Sequence, residues 1–149
     1  MTVSWMQRRV KSTAIVAASA FSLCVAAAEP PIVVKKLTAA GQEVVVRGFA
    51  EFDAACNLKH VQTIVVTVRP DHGEVETRPG AVVIGPNWVG GGHCEGTTLR
   101  GVNVFYVPAP GFTGTDRFSL EVGYSSGRKV RAEVEVEVTA RAGARRAPS

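Results

Sequence analysis

The chain has 149 residues, 46% of them hydrophobic and 20% charged, with 17 basic residues against 13 acidic ones. That length suits one domain able to bury a core of its own. The basic excess does not describe a nucleic-acid binder: Arg8, Arg9 and Lys11 carry it at one end and Arg141, Arg145 and Arg146 at the other, while residues 29–140 hold 11 basic and 13 acidic side chains. A basic face interleaved with aromatics is missing from that stretch, so nucleic acid is excluded as a partner.

Residues 1–28 read as an export signal. Arg8, Arg9 and Lys11 are followed by small and apolar residues that end in Ala26-Ala27-Ala28, the small-residue pattern signal peptidase accepts. Cleavage is expected after Ala28. The apolar stretch, residues 12–28, is Ala-rich, broken by serines and 17 residues long, against roughly 20 for a spanning helix. Contact with a membrane is therefore expected only if the signal stays uncleaved. Leu23 before Cys24 does not fit a lipoprotein signal, and Val10-Lys11-Ser12 after Arg8-Arg9 does not fit twin-arginine export. Removal would leave 14 basic and 13 acidic residues in a periplasmic or extracellular protein of bacterial type.

From Ile32 onward the hydrophobic period is two. Residues 44–46, 63–68, 81–84 and 102–107 are short runs rich in β-branched and aromatic side chains. Ala40-Gly41, Pro70-Asp71-His72-Gly73, Pro79-Gly80, Pro86-Asn87 and Pro108-Ala109-Pro110-Gly111 punctuate them as turns. Phe118, Leu120 and Val122 alternate with Arg117, Ser119 and Glu121, and Tyr124-Ser125-Ser126-Gly127-Arg128 connects to the next strand. In that strand Val130, Ala132, Val134, Val136 and Val138 face one way and Arg131, Glu133, Glu135 and Glu137 the other, as on a half-buried strand. About seven such strands in residues 29–140 predict an all-β, immunoglobulin-like antiparallel β-sandwich. Gly90-Gly91-Gly92 is expected to be a flexible loop and residues 141–149 a disordered basic tail.

With Cys24 removed alongside the signal, Cys56 and Cys94 remain. Two cysteines in an exported chain predict one disulfide, closing a loop of 38 residues.

Residues 102–120, which contain Tyr106-Val107-Pro108 and Gly111-Phe112-Thr113-Gly114-Thr115-Asp116, resemble the C-terminal half of bacterial immunoglobulin-like, cadherin-like repeat domains. Pro70-Asp71-His72-Gly73-Glu74-Val75 is similar to that family's proline-x-x-glycine-x-valine hairpin, and the resemblance extends over roughly residues 32–139. It implies a sandwich fold and structural roles at one turn. Gly111 and Gly114 supply backbone freedom, Phe112 plugs the core, and the Asp116 carboxylate accepts hydrogen bonds from turn amides. A calcium role for Asp116 would need several further oxygen ligands, and no run of Asp and Asn surrounds it. The family occurs as tandem repeats without this cysteine pair, so a self-stabilised single copy is expected here.

The chemistry-bearing residues do not form a catalytic motif. Gly-x-Ser-x-Gly and His-Glu-x-x-His are both absent, and the expectation is a protein that is not an enzyme and needs no cofactor. His60, His72 and His93 lack the close spacing of a ligand pair. His93 adjoins Cys94 and Glu95, which leaves a periplasmic metal-binding protein as one alternative. Glu133, Glu135 and Glu137 form an acidic stripe that reads as a solvated face guarding against edge aggregation, or as a contact for a basic partner. Trp88 lies beside the glycine loop. Together with His93 it is the candidate ligand contact, and a carbohydrate-binding module using Trp88 is another alternative. The leading expectation is a non-catalytic exported module that binds a protein partner.

Overall fold

The computed structural model describes residues 29–60, 62–86 and 92–141. Residues 1–28, where an export signal is expected, Trp88 with the glycines at 90 and 91, and residues 142–149 lie outside the described residues. Nine strands are present: β1 (Ile32–Ala39), β2 (Val44–Phe49), β3 (Glu51–Phe52), β4 (Leu58–His60), β5 (Thr63–Val68), β6 (Gly73–Val83), β7 (Thr98–Pro108), β8 (Gly114–Gly123) and β9 (Lys129–Thr139). One sheet has the order β1-β9-β8-β5 and a second the order β2-β7-β6, while β3 and β4 pair as a small ribbon. Setting the ribbon aside, seven strands divide between two sheets in the partition of an immunoglobulin-like sandwich.

The periodicity of two produces this arrangement because each sheet has one face to bury. Along β9 every second residue from Val130 to Val138 is buried, and the intervening Arg131, Glu133 and Glu137 are exposed. Val34 of β1, Val46 of β2, Val104 and Tyr106 of β7, and Phe118, Leu120 and Val122 of β8 join the β9 valines in one cluster drawn from both sheets. That shared core is what makes two sheets one sandwich.

Three features depart from the sequence expectation. First, β1 runs parallel to β9, with Val34 opposite Val134, so the sandwich is not wholly antiparallel. A parallel pair needs a long crossover, and here the rest of the domain lies between the two strands. Second, Pro79-Gly80 is not a turn: β6 runs straight through it, with Pro79 opposite Val102 and Gly80 opposite Gly101. Proline lacks the amide a central strand would use, but β6 is an edge strand and tolerates it. Third, Pro70-Asp71-His72-Gly73 is not a hairpin, because β5 pairs with β8 and β6 with β7. The segment carries the chain from one sheet to the other. Between Tyr124 and Arg128 the expected connection is a true hairpin, closed by a 2.9 Å bond from the Tyr124 amide to the Arg128 carbonyl, with Gly127 at φ 81°.

Candidate functional site

A bulge opens a cleft at β2. In β2 the register slips between Val45 and Arg47, so Arg47 stands opposite inward-facing Val104 instead of following the outward side of Val45. Arg47 and Phe49 consequently point to the same side, with the guanidinium 5.8 Å from the Phe49 ring centre. The β8–β9 hairpin supplies Tyr124 and Arg128 opposite them, and β3 adds Glu51 and Phe52. Together with Glu29, Pro30 and Ile32 they enclose a cavity of about 640 Å³, within the size range of small-molecule and peptide sites.

The electrostatics of the cleft follow from partial burial. Removal from water lowers the Arg47 pKa from its ordinary value and raises that of Tyr124. Arg128 donates to Glu29 from Nε at 3.0 Å and Nη2 at 2.9 Å, and lies 5.9 Å from the Tyr124 ring centre. Glu51 accepts from the Ser125 hydroxyl at 2.7 Å and the Ser125 amide at 2.9 Å, which hold its pKa below the usual carboxylate range. That contact ties the small ribbon to the hairpin across the cleft. Two guanidinium groups, two carboxylates and three aromatic rings thus line one hollow, a composition suited to an apolar group carried beside an anionic one that replaces Glu29 on Arg128.

Cys56 and Cys94 are joined by a disulfide with Cα atoms 5.5 Å apart, which accords with an oxidising environment. The bridge pins the β3–β4 ribbon, and with it one wall of the cleft, to the connection between β6 and β7. His93 is exposed, its Nε2 2.7 Å from the Ala54 carbonyl oxygen. His72 lies elsewhere, stacked on Phe112 at 4.3 Å between ring centres.

The turn residues form a buried polar knot. Asp116 is 2% exposed and accepts from the Tyr106 hydroxyl at 2.8 Å, the His72 amide at 2.9 Å, the Asp71 amide at 3.0 Å and the Arg117 amide at 2.9 Å. Two of those amides come from the crossover at Asp71 and His72, so the carboxylate fastens a distant segment and not only its own turn. Its oxygens are engaged by donors, which leaves them poorly placed for calcium. Phe112 is half-buried against the core, with its ring edge 3.6 Å from where a Cβ on Gly114 would stand. Gly111 has φ 79° and Gly114 φ 132°, conformations that other residues rarely adopt.

Of the expected contact residues, His93 sits beside the disulfide, and Trp88 lies outside the described residues. The acidic stripe of β9 is partly neutralised: Glu135 meets Arg117 at 2.8 Å and Lys35 at 3.5 Å, and Glu133 meets Arg131 at 3.8 Å. Sequence reasoning missed Arg47, Phe49, Phe52, Tyr124 and Arg128 as a group. Strict alternation places Arg47 on the wet face, and only the bulge turns it inward. No family model matches the chain, and no curated protein does.

Proposed function

We propose that the chain is a non-catalytic exported binding module, acting in the periplasm or at the cell surface, whose end cleft takes a segment of a partner protein. The cleft carries this reading. Aromatic and arginine side chains dominate the energetics of protein recognition, and here Phe49, Phe52 and Tyr124 stand with Arg47 and Arg128 in one hollow. The ligand class that fits is an extended peptide presenting an apolar or aromatic side chain beside a carboxylate. The resemblance of residues 102–120 to cadherin-like repeats is an analogy at the level of the fold, and the disulfide supports export.

The test is selection from a library of random 12-residue peptides displayed on phage. Selected peptides are expected to converge on an aromatic residue next to Asp or Glu. Their affinity should fall at least about ten-fold on Phe52→Ala and on Arg128→Gln, the loss of one well-placed anchor each. Absence of enrichment, or selected peptides indifferent to both substitutions, would refute the cleft as the site. Retention on an oligosaccharide array that disappears with Trp88→Ala would replace the protein reading with the carbohydrate one.

A further inference from the structure

The Cys56–Cys94 bridge has a third donor beside it that a structural staple does not require. The sulfur of Cys56, the sulfur of Cys94 and one ring nitrogen of His93 all lie within 4.8 Å of one another. The ring is also held. Because a carbonyl oxygen only accepts, the 2.7 Å contact with Ala54 makes Nε2 the protonated nitrogen and leaves the lone pair on Nδ1. Metal-binding histidines are oriented in this way, one nitrogen on the ion and the other donating to a backbone carbonyl.

The backbone carrying these donors is shaped by bonds that do not depend on the bridge. The Asp53 carboxylate accepts from the Ala55 and Asn57 amides, both at 2.9 Å, and the Cys56 amide donates to the Asp53 carbonyl at 3.0 Å. Across the bridge, Thr97 N donates to the Cys94 carbonyl at 3.0 Å and Gly96 N to the Ile84 carbonyl at 2.9 Å. Opening the disulfide therefore leaves two preformed turns facing each other, with the histidine on one of them bonded to the other.

We propose that Cys56, Cys94 and His93 form a two-thiolate, one-imidazole site for a thiophilic d¹⁰ cation such as Zn²⁺, closed while the cysteines are bridged and opened by a dithiol reductant. One thiolate of the reductant attacks the sulfur of half-buried Cys56, and fully buried Cys94 leaves as thiolate. The second thiol of the reductant resolves the mixed disulfide. Two electrons and two protons reach the protein, and the reductant departs as its own disulfide. The cation then displaces both thiol protons to solvent. It forms two metal–sulfur bonds of about 2.3 Å and one metal–nitrogen bond of about 2.0 Å, with water in the fourth position. The proposal stands independently of the peptide reading.

The experiment uses the full chain with Cys24→Ser in every sample, so that Cys56 and Cys94 are its only thiols. Zn²⁺ is titrated against a chromogenic chelator before and after dithiol reduction and anaerobic desalting, and Co²⁺ is used to report thiolate ligation by its charge-transfer absorption. Expected are one equivalent of Zn²⁺ on the reduced protein, none on the oxidised protein, and a loss of at least about ten-fold in affinity with His93→Ala but not with His60→Ala. Three results would overturn the site: equal binding by oxidised and reduced protein, unchanged affinity in His93→Ala, or reduced protein that keeps its β circular dichroism yet takes up no metal. A reduced chain that unfolds and is not refolded by Zn²⁺ would overturn it as well.

Discussion

Asp116 shows how a single buried charge holds two distant segments. Burial alone would raise its pKa, but the Tyr106 hydroxyl and the amides of His72, Asp71 and Arg117 together outweigh that and leave it lowered. A depressed carboxylate contributes stability above the unfolded pKa of about 3.9 and loses it as pH falls through the folded value. Asp116→Asn places an amide group against backbone donors and is expected to destabilise the fold by about 2–3 kcal/mol at pH 7. In that variant the loss of stability between about pH 5 and pH 2 should be shallower than in the parent, as read by urea denaturation at each pH. Tyr106→Phe removes one donor and should cost about 1–2 kcal/mol. Gly73 belongs to the same knot: a Cβ there would stand 2.5 Å from the Tyr106 ring and 2.6 Å from the Val107 carbonyl oxygen. Gly73→Ala is expected to lower stability by about 1–3 kcal/mol through overpacking, and a variant with unchanged thermal midpoint would refute that packing.

At the scale of elements, the β3–β4 ribbon differs from the sheets that flank it. It holds two and three residues per strand, and the contacts that join it to the rest include the disulfide, the Ser125–Glu51 bonds, the His93–Ala54 bond and a bond from the Gln62 side chain to the His60 carbonyl. The central cluster draws on β1, β2, β7, β8 and β9 and not on the ribbon. Replacing both cysteines by serine should lower global stability by about 3–4 kcal/mol, the loop-closure value for a bridge of this span. Amide exchange should report the change unevenly, with local openings making residues 51–60 the fastest to exchange and β7, β8 and β9 remaining the best protected, lowered only by the global loss. Uniform loss of protection would show that the bridge holds the sandwich itself. The edge strands carry their own safeguards. β1 exposes Val33 and Leu37 but sets Lys35 between them, and β6 carries Pro79, which has no amide to offer a neighbour; both discourage pairing with another chain.

Across the whole molecule, stability resides where the two sheets face each other. Leu120 is fully buried there, so Leu120→Ala should cost about 2–5 kcal/mol, depending on how far the sheets close over the cavity. Leu37 is 64% exposed on the outer face of β1, and Leu37→Ala should shift stability by less than about 0.5 kcal/mol in the same denaturation assay. Equal effects at the two sites would mean that the sheets do not share one core. The cleft lies at the end of this rigid body, where a bulge, a hairpin and a pinned ribbon meet. Phe49 belongs to both the cleft and the core between the sheets, so the floor of the cleft is fixed by that packing.

The amino-acid sequence by itself determined the class of fold, because alternation in β8 and β9 can be buried in only one way, as strands with a wet and a dry side. It also pointed to the bridge between Cys56 and Cys94, the pair that remains if Cys24 belongs to an export signal, and the structure joins these two. The hairpin at Tyr124 to Arg128 was equally legible, since its turn chemistry is local. Tertiary structure decided what depends on partners far along the chain. The parallel pairing of β1 with β9, the passage of β6 through Pro79-Gly80 and the crossover at Asp71-His72 are all set by which strand lies alongside, and no local signal carries that. The inward turn of Arg47 is the clearest case. One extra residue in β2 reverses the parity of everything after it, and a period-two reading cannot see the slip until the partner strand is in place.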